Sequence, residues 1–425
     1  MTITAIANAT VVTLDDDATV LPGATVVLDG PTIVEIAPAG TDSSIAATTV
    51  IDAEGGLLHP GLVNAHTHLA MTLFRGYADD RSLQDFLDRL LPAESRVLSA
   101  DHVRTGSRLA HAELLRAGCT SALDMYWWPE VSLDESTRSG LRLHTGPIFI
   151  GFDGPDATPF DVRLERARDV GSTDWVFAHG TYTMDPGQLR AVGELAAELG
   201  ARFHIHASEN RAEVDDVRTR FGRTPIELLD DAGMLRSGTV LAHAVVLDDD
   251  EIARLAETGT AVAHCPSSNM KLASGVCRVP ELHAAGVVVG LGTDGPSSSN
   301  DLDMYAAMRA AALVHKGVRL DPTVLPAIDV LRMATIDGAR ALGIDHLIGS
   351  IEVGKRADLV LLDPASPSLN PVFDAHSTIV YSASRADVTD VWIDGRRVVE
   401  DRRCTTIDVA AAVHEARAEA LRIDP

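Results

Sequence analysis

The chain has 425 residues, of which 46% are hydrophobic and 23% are charged, so it can bury a large core and is not expected to be disordered. Its 36 basic and 61 acidic residues give a formal net charge of −25, which disfavours binding to nucleic acid or to anionic membrane surfaces. No apolar run approaches the ~20 residues that span a bilayer, and Met1-Thr2-Ile3-Thr4 is neither basic nor part of an apolar signal core, so we expect a cytoplasmic protein.

Two residue types are scarce enough to bear on function. The cysteines are widely spaced and form no paired pattern, which predicts reduced thiols that lie mostly in the core: Cys119, Cys265, Cys277 and Cys404. Of the 36 basic residues only three are lysines: Lys271, Lys316 and Lys355. A function that needs a lysine in the first part of the chain is therefore excluded.

Short strands are predicted at both ends of the chain. Alternating or apolar runs mark them at 5–14, 23–30, 33–36 and 357–363, and the segment 388–399 is typical of a hairpin that turns at Asp394-Gly395. Two such segments at opposite ends predict one small β-sandwich domain, formed by residues 1–57 and 350–425. An Ala- and Glu-rich stretch from Asp408 predicts a C-terminal helix in the same domain.

The middle of the chain alternates between apolar strands and amphipathic helices. The helices include 187–199 and 249–257, and the strands fall at 121–124, 176–179, 202–206, 239–243, 261–264 and 287–294. Repeated βα units of this length predict a parallel (β/α)₈ barrel, the TIM barrel of the α/β class, over residues 58–349.

Polar residues at the ends of these strands indicate a metal site. The carboxyl ends of all strands in a parallel barrel meet on one face, so residues far apart in sequence come together there. His66 and His68 are two residues apart on an extended segment, so both imidazoles point the same way and can reach one metal. Further groups of this kind follow later strands: His206, Glu209, His243 and Asp294. Three histidines and one carboxylate form a closed ligand set for Zn²⁺ or Fe²⁺.

The sequence resembles the amidohydrolase superfamily, and within it the deaminases of 5′-methylthioadenosine and S-adenosylhomocysteine. The resemblance runs in order from about residue 5 to about residue 400 and rests on segments 60–68, 71–80, 124–126, 206–209, 242–244, 264–272 and 291–295. They include His66-Thr67-His68, His206-Ala207-Ser208-Glu209, His264-Cys265-Pro266 and Thr293-Asp294-Gly295. It implies a metal-dependent barrel enzyme that is a homo-oligomer and acts on a small purine nucleoside.

The resemblance also implies which residues hold the metal. The expected ligands are His66, His68, His206 and Asp294, and His204 is expected to be structural. Superfamily members with two metals bridge them through a carbamylated lysine on the fourth strand, and this chain has no lysine before Lys271. We therefore expect one divalent ion per chain, Zn²⁺ or alternatively Fe²⁺.

Five further roles follow from the resemblance. Glu209 would protonate the purine ring beside the attacked carbon, and His243 would hydrogen-bond the attacking hydroxide. His179 would contact the purine, and Glu94 would hold the ribose hydroxyls. Asp294, besides binding the metal, would accept a proton from the water. The expected reaction replaces the 6-amino group of an adenosine-type nucleoside by oxygen and releases ammonia.

The sequence departs from the close relatives at two places that bear on the substrate. Phe86 stands where relatives usually carry tryptophan, and segment 143–147 contains no arginine after Arg142 that could hold an amino-acid carboxylate. A neutral 5′-substituent is therefore favoured, as in methylthioadenosine, 5′-deoxyadenosine or adenosine, over the charged tail of S-adenosylhomocysteine.

Several interpretations stay open at this point. A related amidohydrolase of another aminated or chlorinated heterocycle, of the guanine or triazine type, is the main alternative. A non-catalytic assembly protein of the same fold is disfavoured by the intact ligand set. Trp127-Trp128 and Ser267-Ser268-Asn269 fit a substrate pocket as well as a core or a turn, whereas Asp79-Asp80 is expected to be a loop or a helix cap.

Overall fold

The computed structural model describes residues 3–41 and 43–423. Its first five strands are β1 (Ile3–Val12), β2 (Val20–Asp29), β3 (Thr32–Ala37), β4 (Thr49–Asp52) and β5 (Leu57–Pro60). Nine strands follow in the middle of the chain: β6 (Leu62–Thr67), β7 (Cys119–Asp124), β8 (Arg142–His144), β9 (Ile148–Phe149), β10 (Trp175–Gly180), β11 (Arg202–Ala207), β12 (Thr239–His243), β13 (Ala261–His264) and β14 (Val289–Leu291). The last four are β15 (Leu359–Leu362), β16 (Val388–Ile393), β17 (Arg396–Glu400) and β18 (Arg403–Cys404).

The helices lie mostly between the middle strands. In chain order they are α1 (Leu83–Val97), α2 (Ala100–Arg116), α3 (Pro129–Ser139), α4 (Phe160–Val170), α5 (Pro186–Glu198), α6 (Arg211–Phe221), α7 (Pro225–Asp231), α8 (Asp249–Thr258), α9 (Pro266–Lys271), α10 (Val279–Ala284), α11 (Met304–Arg319), α12 (Ala327–Met333), α13 (Ile336–Leu342), α14 (Ala375–Ser377) and α15 (Val409–Ile423). Shorter helical turns cover Leu69–Phe74, Pro367–Leu369, Thr378–Ser382 and Arg385–Asp387. None of the helices in the described ranges is both long enough and apolar enough to cross a bilayer.

The middle strands form the predicted parallel barrel. Strands β6 to β8 pair in one group and β9 to β14 in another, so the two short strands β8 and β9 share the third of eight positions. The ring closes between the first and last strands, where the Asp294 N–H donates to the His66 carbonyl at 3.0 Å. The side chain of Asn64 adds to this closure, because its amide donates to Thr293 Oγ1 at 2.7 Å. Strands such as β7 and β12 are buried along their whole length, as expected for strands covered on both faces.

Both ends of the chain build one β-rich unit, as predicted. Its nine strands are hydrogen-bonded in the order β18-β17-β16-β15-β5-β1-β2-β3, with β4 parallel to β1. Residues from both halves of this sheet share an apolar core, among them Ile6, Val26, Leu359 and Trp392. The predicted turn at Asp394-Gly395 joins β16 to β17, and both residues have positive φ angles.

The C-terminal helix, which the sequence grouped with this unit, makes contacts with the barrel. In α15, Glu415 pairs with Arg108 at 2.9 Å and Glu419 lies 3.2 Å from His102, both on barrel helix α2. The ion pair of Glu415, the hydrogen bond of Glu419 and the burial of Ala416 against the barrel therefore hold α15 there. Strand β5 pairs with β1 and with β15, and the pairing with β15 extends to Pro60. The sheet therefore includes residues 58–60, which were assigned to the barrel from the sequence. The domain division itself stays a prediction.

Candidate active site

The expected metal ligands come together at the carboxyl ends of the barrel strands. His66 lies on β6, His68 directly follows it, His206 lies on β11 and Asp294 follows β14; all four are buried. One ligand atom from each lies within 4.8 Å of every other. Nε2 of His206 is 3.2 Å from Nε2 of both His66 and His68, and Oδ1 of Asp294 is 3.3 Å from the same two nitrogens.

Backbone carbonyls fix the proton of two of these histidines. His68 Nδ1 donates to the carbonyl of Met125 at 2.6 Å, and His206 Nδ1 donates to the carbonyl of His179 at 2.5 Å. A carbonyl only accepts, so the proton of each neutral imidazole must sit on Nδ1. Nε2 is then left with a free lone pair that points into the cluster.

His66 is fixed in the same way through a second histidine. His204 Nδ1 donates to the carbonyl of Val240 at 2.8 Å, so its Nε2 is an acceptor. His66 Nδ1 donates to this atom at 2.7 Å, which again leaves His66 Nε2 unprotonated. The sequence identified His204 as a structural residue outside the ligand set. Its position behind His66 shows what it does: it fixes the proton of His66 on Nδ1.

This arrangement fits a divalent cation. Three lone pairs and a carboxylate oxygen converge without a proton between the nitrogens, which is repulsive unless positive charge lies among them. A tetrahedral ion with bonds of ~2.0–2.1 Å places its ligand atoms about 3.3–3.4 Å apart. Four of the six separations between ligand atoms are 3.2 or 3.3 Å, which is close to that spacing, and all of the ligand atoms lie within 4.8 Å of one another.

The pKa values of the cluster show how strongly it attracts positive charge. Burial, followed by the neighbouring histidines, holds the pKa of His206 well below its ordinary value, so this imidazole is neutral as a metal ligand must be. Burial would also lower the pKa of His68, but the Asp294 carboxylate raises it above normal. Burial would raise the pKa of Asp294, yet hydrogen bonds with His66 and His68 hold it well below normal.

Two serine hydroxyls fix the other oxygen of Asp294. Ser268 Oγ and Ser298 Oγ donate to Oδ2 at 2.6 and 2.7 Å, and Gly295 N–H donates to Oδ1 at 2.7 Å. Ser268 lies on α9, in the motif whose role the sequence left open. Ser298 lies in the loop after β14 and was not identified from the sequence, because a serine in a loop gives no pattern.

A pocket opens over this cluster, with polar and apolar walls. Its polar lining contains Glu94, His179, Glu209 and His243. Its apolar wall is the inner face of α1, with Leu83, Phe86, Leu87, Leu90 and Leu91, completed by Trp127, Ile148 and Ile150. Among the lining residues that the structure describes, none is arginine or lysine. Trp127 therefore lines the pocket, whereas Trp128 does not.

Glu209 and His243 face each other across the pocket. Glu209 Oε2 lies 3.9 Å from His243 Nε2, and both residues are buried. Burial raises the pKa of Glu209, and the Asp294 charge adds to the effect of burial. His243 Nδ1 donates to Asn269 Oδ1 at 2.8 Å, so His243 Nε2 points toward Glu209. A carboxyl with a raised pKa beside an oriented imidazole is suited to proton transfer near neutral pH.

Glu94 lies deep in the pocket rather than on the surface of α1. Only 2% of it is exposed, and Tyr126 Oη donates to its Oε1 at 2.5 Å. Burial raises the pKa of Glu94 to about 7, although the tyrosine hydroxyl opposes this. The sequence identified Glu94 but not Tyr126 as its partner. Oε2 is given no partner by the described residues and is free to accept from a ligand.

The remaining candidates are also placed. His179 lines the pocket, and burial lowers its pKa to about 3, so it is a neutral donor or acceptor. Asp79 lies in a loop, as expected, and pairs with Lys271 at 2.6 Å. All four cysteines are free, and three of them are buried.

The proton chain behind His66 gives a direct prediction. We expect His204→Ala to lower metal affinity about 10–100-fold, because His66 loses the acceptor that fixes its proton on Nδ1. Metal affinity is measured by competition with a chromophoric chelator. His111→Ala is the matched control, since His111 is buried on α2 away from the cluster and should leave the affinity unchanged. Equal affinities for His204→Ala and the wild type would contradict the assignment.

Comparison with known proteins places the chain in a family. The model of the amidohydrolase family matches residues 57–398. A 5-methylthioadenosine/S-adenosylhomocysteine deaminase of Syntrophobacter fumaroxidans is 41% identical over 98% of both chains. A 5′-deoxyadenosine deaminase of Methanosarcina mazei is 40% identical over 97% of this chain and 96% of its own. The crystal structure of an adenosine deaminase from Xanthomonas campestris with bound zinc superposes with a TM-score of 0.95 at 37% identity, covering 99% and 98%. The chain belongs to the amidohydrolase family.

Proposed function

We propose that the chain is a metal-dependent hydrolytic deaminase of adenosine-type nucleosides. The observation that carries this proposal is the position of two buried carboxyl groups. Glu209 and Glu94 both line the pocket that lies over the cluster of metal-ligand residues. The first suits proton transfer to a ring nitrogen, and the second suits a pair of neighbouring hydroxyls. The activities named for the relatives in Syntrophobacter and Methanosarcina support this substrate class.

The cluster would hold one divalent ion, which we propose is Zn²⁺, with Fe²⁺ as the alternative. The bound zinc of the Xanthomonas relative and the set of three histidines and one carboxylate support zinc. Strand β10, the fourth barrel position, contains no lysine that could bridge a second ion. When bound, such an ion makes hydroxide available from water near neutral pH.

The chain's own groups would move the protons. Asp294 would accept one proton from the attacking water, while Ser268 and Ser298 hold its carboxylate in place. Glu209 would donate a proton to the ring nitrogen next to the attacked carbon, take up the remaining proton of the attacking oxygen and pass it to the departing amine. The proton held by Asp294 would then restore Glu209, so water and R–NH₂ give R=O and NH₃. His243 would hydrogen-bond the incoming oxygen. Each general acid–base contribution of this kind is worth ~10²–10⁴ in rate.

The pocket also favours a neutral substrate. Glu94 would accept the ribose hydroxyls, and His179 would contact the purine. The leucine and phenylalanine face of α1 offers apolar surface to a 5′-substituent, and the described lining offers no cation to a carboxylate. We therefore propose methylthioadenosine, 5′-deoxyadenosine or adenosine as better substrates than S-adenosylhomocysteine. We further propose that the protein is cytoplasmic, which the free cysteines support. We also propose, from the family resemblance, that it is a homo-oligomer.

Ammonia release from a panel of substrates tests the function. We expect the zinc-loaded enzyme to release ammonia from the three neutral nucleosides with kcat/KM at least equal to that for S-adenosylhomocysteine. Free adenine, guanine and an aminated triazine complete the panel. A free base or a triazine as the best substrate would show that the guanine- or triazine-type alternative is right. A tenfold preference for S-adenosylhomocysteine would contradict the neutral pocket.

The raised pKa of Glu94 predicts a pH dependence of ribose binding. Below pH about 7 its carboxyl is protonated, and as pH rises through 7 it becomes a carboxylate that accepts both hydroxyls. Inhibition by inosine should therefore strengthen about tenfold or more between pH 5.5 and 8.5, since a hydrogen bond to a charged group contributes ~1.5–3 kcal/mol. Hypoxanthine, which lacks ribose, is the control ligand, and its inhibition should not show this pH dependence. In Glu94→Gln the inhibition by inosine should lose its additional pH dependence and follow that of hypoxanthine. The same pH profile in Glu94→Gln would contradict the role.

A further inference from the structure

The segment that delivers Glu209 to the pocket has an unusual backbone. Strand β11 ends at Ala207, and Ser208 then adopts a φ angle of 52°, in the left-handed region that side-chain-bearing residues rarely occupy. Glu209 follows at once and points into the pocket. A strained turn of this kind persists only where its surroundings hold it in place.

Glu213 supplies that hold from the first turn of α6. Its carboxylate is 5% exposed and accepts the Glu209 N–H at 2.6 Å and the Ser208 N–H at 3.2 Å. Thr181 Oγ1 donates to it at 2.7 Å. Among the described residues, the groups that hydrogen-bond to it are Thr181, Ser208 and Glu209, and none is an arginine or lysine. The carboxylate therefore holds two consecutive backbone N–H groups, those of Ser208 and Glu209.

Two other helices of the chain show that this is not an ordinary helix cap. In α7, Glu227 stands at the third helical position and accepts the N–H of its own capping residue, Thr224, at 2.7 Å. Glu251 of α8 does the same for Asp248 at 2.9 Å. Glu213 occupies the same third position in α6 after the capping residue Asn210, yet its carboxylate passes over that residue to reach Ser208 and Glu209.

The turn is held from the other side as well. The carbonyl of Ser208 accepts the N–H groups of Val245 and Val246, both at 2.9 Å, in the loop that follows His243. Thr181, which donates to Glu213, lies two residues beyond His179 at the end of β10. Glu213 thereby connects the end of β10, which carries His179, to the end of β11, which carries His206 and Glu209.

We propose that Glu213 is a positioning residue for the deamination step, which fixes the carboxyl of Glu209 against the substrate ring by holding the backbone of Ser208 and Glu209. The inference rests on the proposed function. Loss of the acceptor frees both N–H groups, so the turn relaxes and Glu209 loses its orientation. A misplacement of about 1 Å at a reacting group is worth on the order of 10²-fold in rate.

The test compares Glu213→Ala and Glu213→Gln with Glu227→Ala, which removes the ordinary cap of α7. All three are made in the full chain, loaded with zinc and assayed with the best nucleoside of the substrate panel. We expect Glu213→Ala to keep its zinc and its KM within about threefold while kcat falls about 10²-fold. Glu213→Gln keeps one acceptor oxygen and should lose less than about tenfold. Glu227→Ala should lower only the melting temperature.

Other outcomes would overturn the proposal. A wild-type kcat in Glu213→Ala, or a loss of kcat that follows a loss of zinc, would show that Glu213 does not act through Glu209. If Glu213→Ala does not fold, or if the wild type releases no ammonia and the proposed function fails, hydrogen–deuterium exchange of Glu213→Gln decides. Because glutamine keeps one acceptor oxygen, one of the two amides of Ser208 and Glu209 should then exchange at least tenfold faster than in the wild type and in Glu227→Ala. Unchanged exchange of both amides would overturn the inference.

Discussion

Three imidazole lone pairs that converge on one point are the constraint on which the rest of the site depends. Each lone pair exists because the opposite ring nitrogen has been given a proton acceptor: the carbonyls of Met125 and His179 and, for His66, the Nε2 atom of His204. Such a set is repulsive by itself and strongly attractive to a divalent cation. The same hydrogen bonds that orient the rings therefore create the affinity, and the strand ends that supply the carbonyls position the ligands.

Several residues at the carboxyl ends of the barrel strands, where the site lies, have a strained backbone. His243 and Asp294 have φ angles of 71° and 61°, and Ser208 has one of 52°, although none of them is glycine. Strain of this kind costs of order 1–3 kcal/mol per residue and is stored where function needs it. Each strained residue is held by specific bonds: Asn269 binds His243, two serines bind Asp294, and Glu213 binds the segment at Ser208. These supporting residues therefore keep the ligand and proton-transfer groups of the site in place.

Much of this could be predicted from the sequence, because the strand-end pattern is local. An apolar run that ends in His or Asp is visible without a structure, and parallel topology then brings such ends together. The depth of a residue in the barrel is not visible. His204 and His206 lie on the same face of β11, so the strand pattern alone does not distinguish them. The family resemblance implied that His206 is the ligand, and the packing adds that His204 supports His66. Tyr126 was missed because its partner Glu94 is 32 residues away. Ser298 and Glu213 bond to residues only four or five positions away, but neither a loop serine nor a glutamate in the first turn of a helix gives a pattern that identifies such a role. The placement of α15 depends on an ion pair and a hydrogen bond with α2 that no pattern in either helix reveals.

The central claim is that four groups of this chain hold one divalent ion by three imidazole nitrogens and a carboxylate. X-ray absorption at the zinc edge, with elemental analysis of the same dialysed sample, tests it most directly. The account predicts about one metal per chain, with nitrogen and oxygen neighbours at ~2.0–2.1 Å and outer scattering from imidazole rings. Two metals per chain with metal–metal scattering near ~3.5–4 Å, or sulfur neighbours at ~2.3 Å, would contradict it.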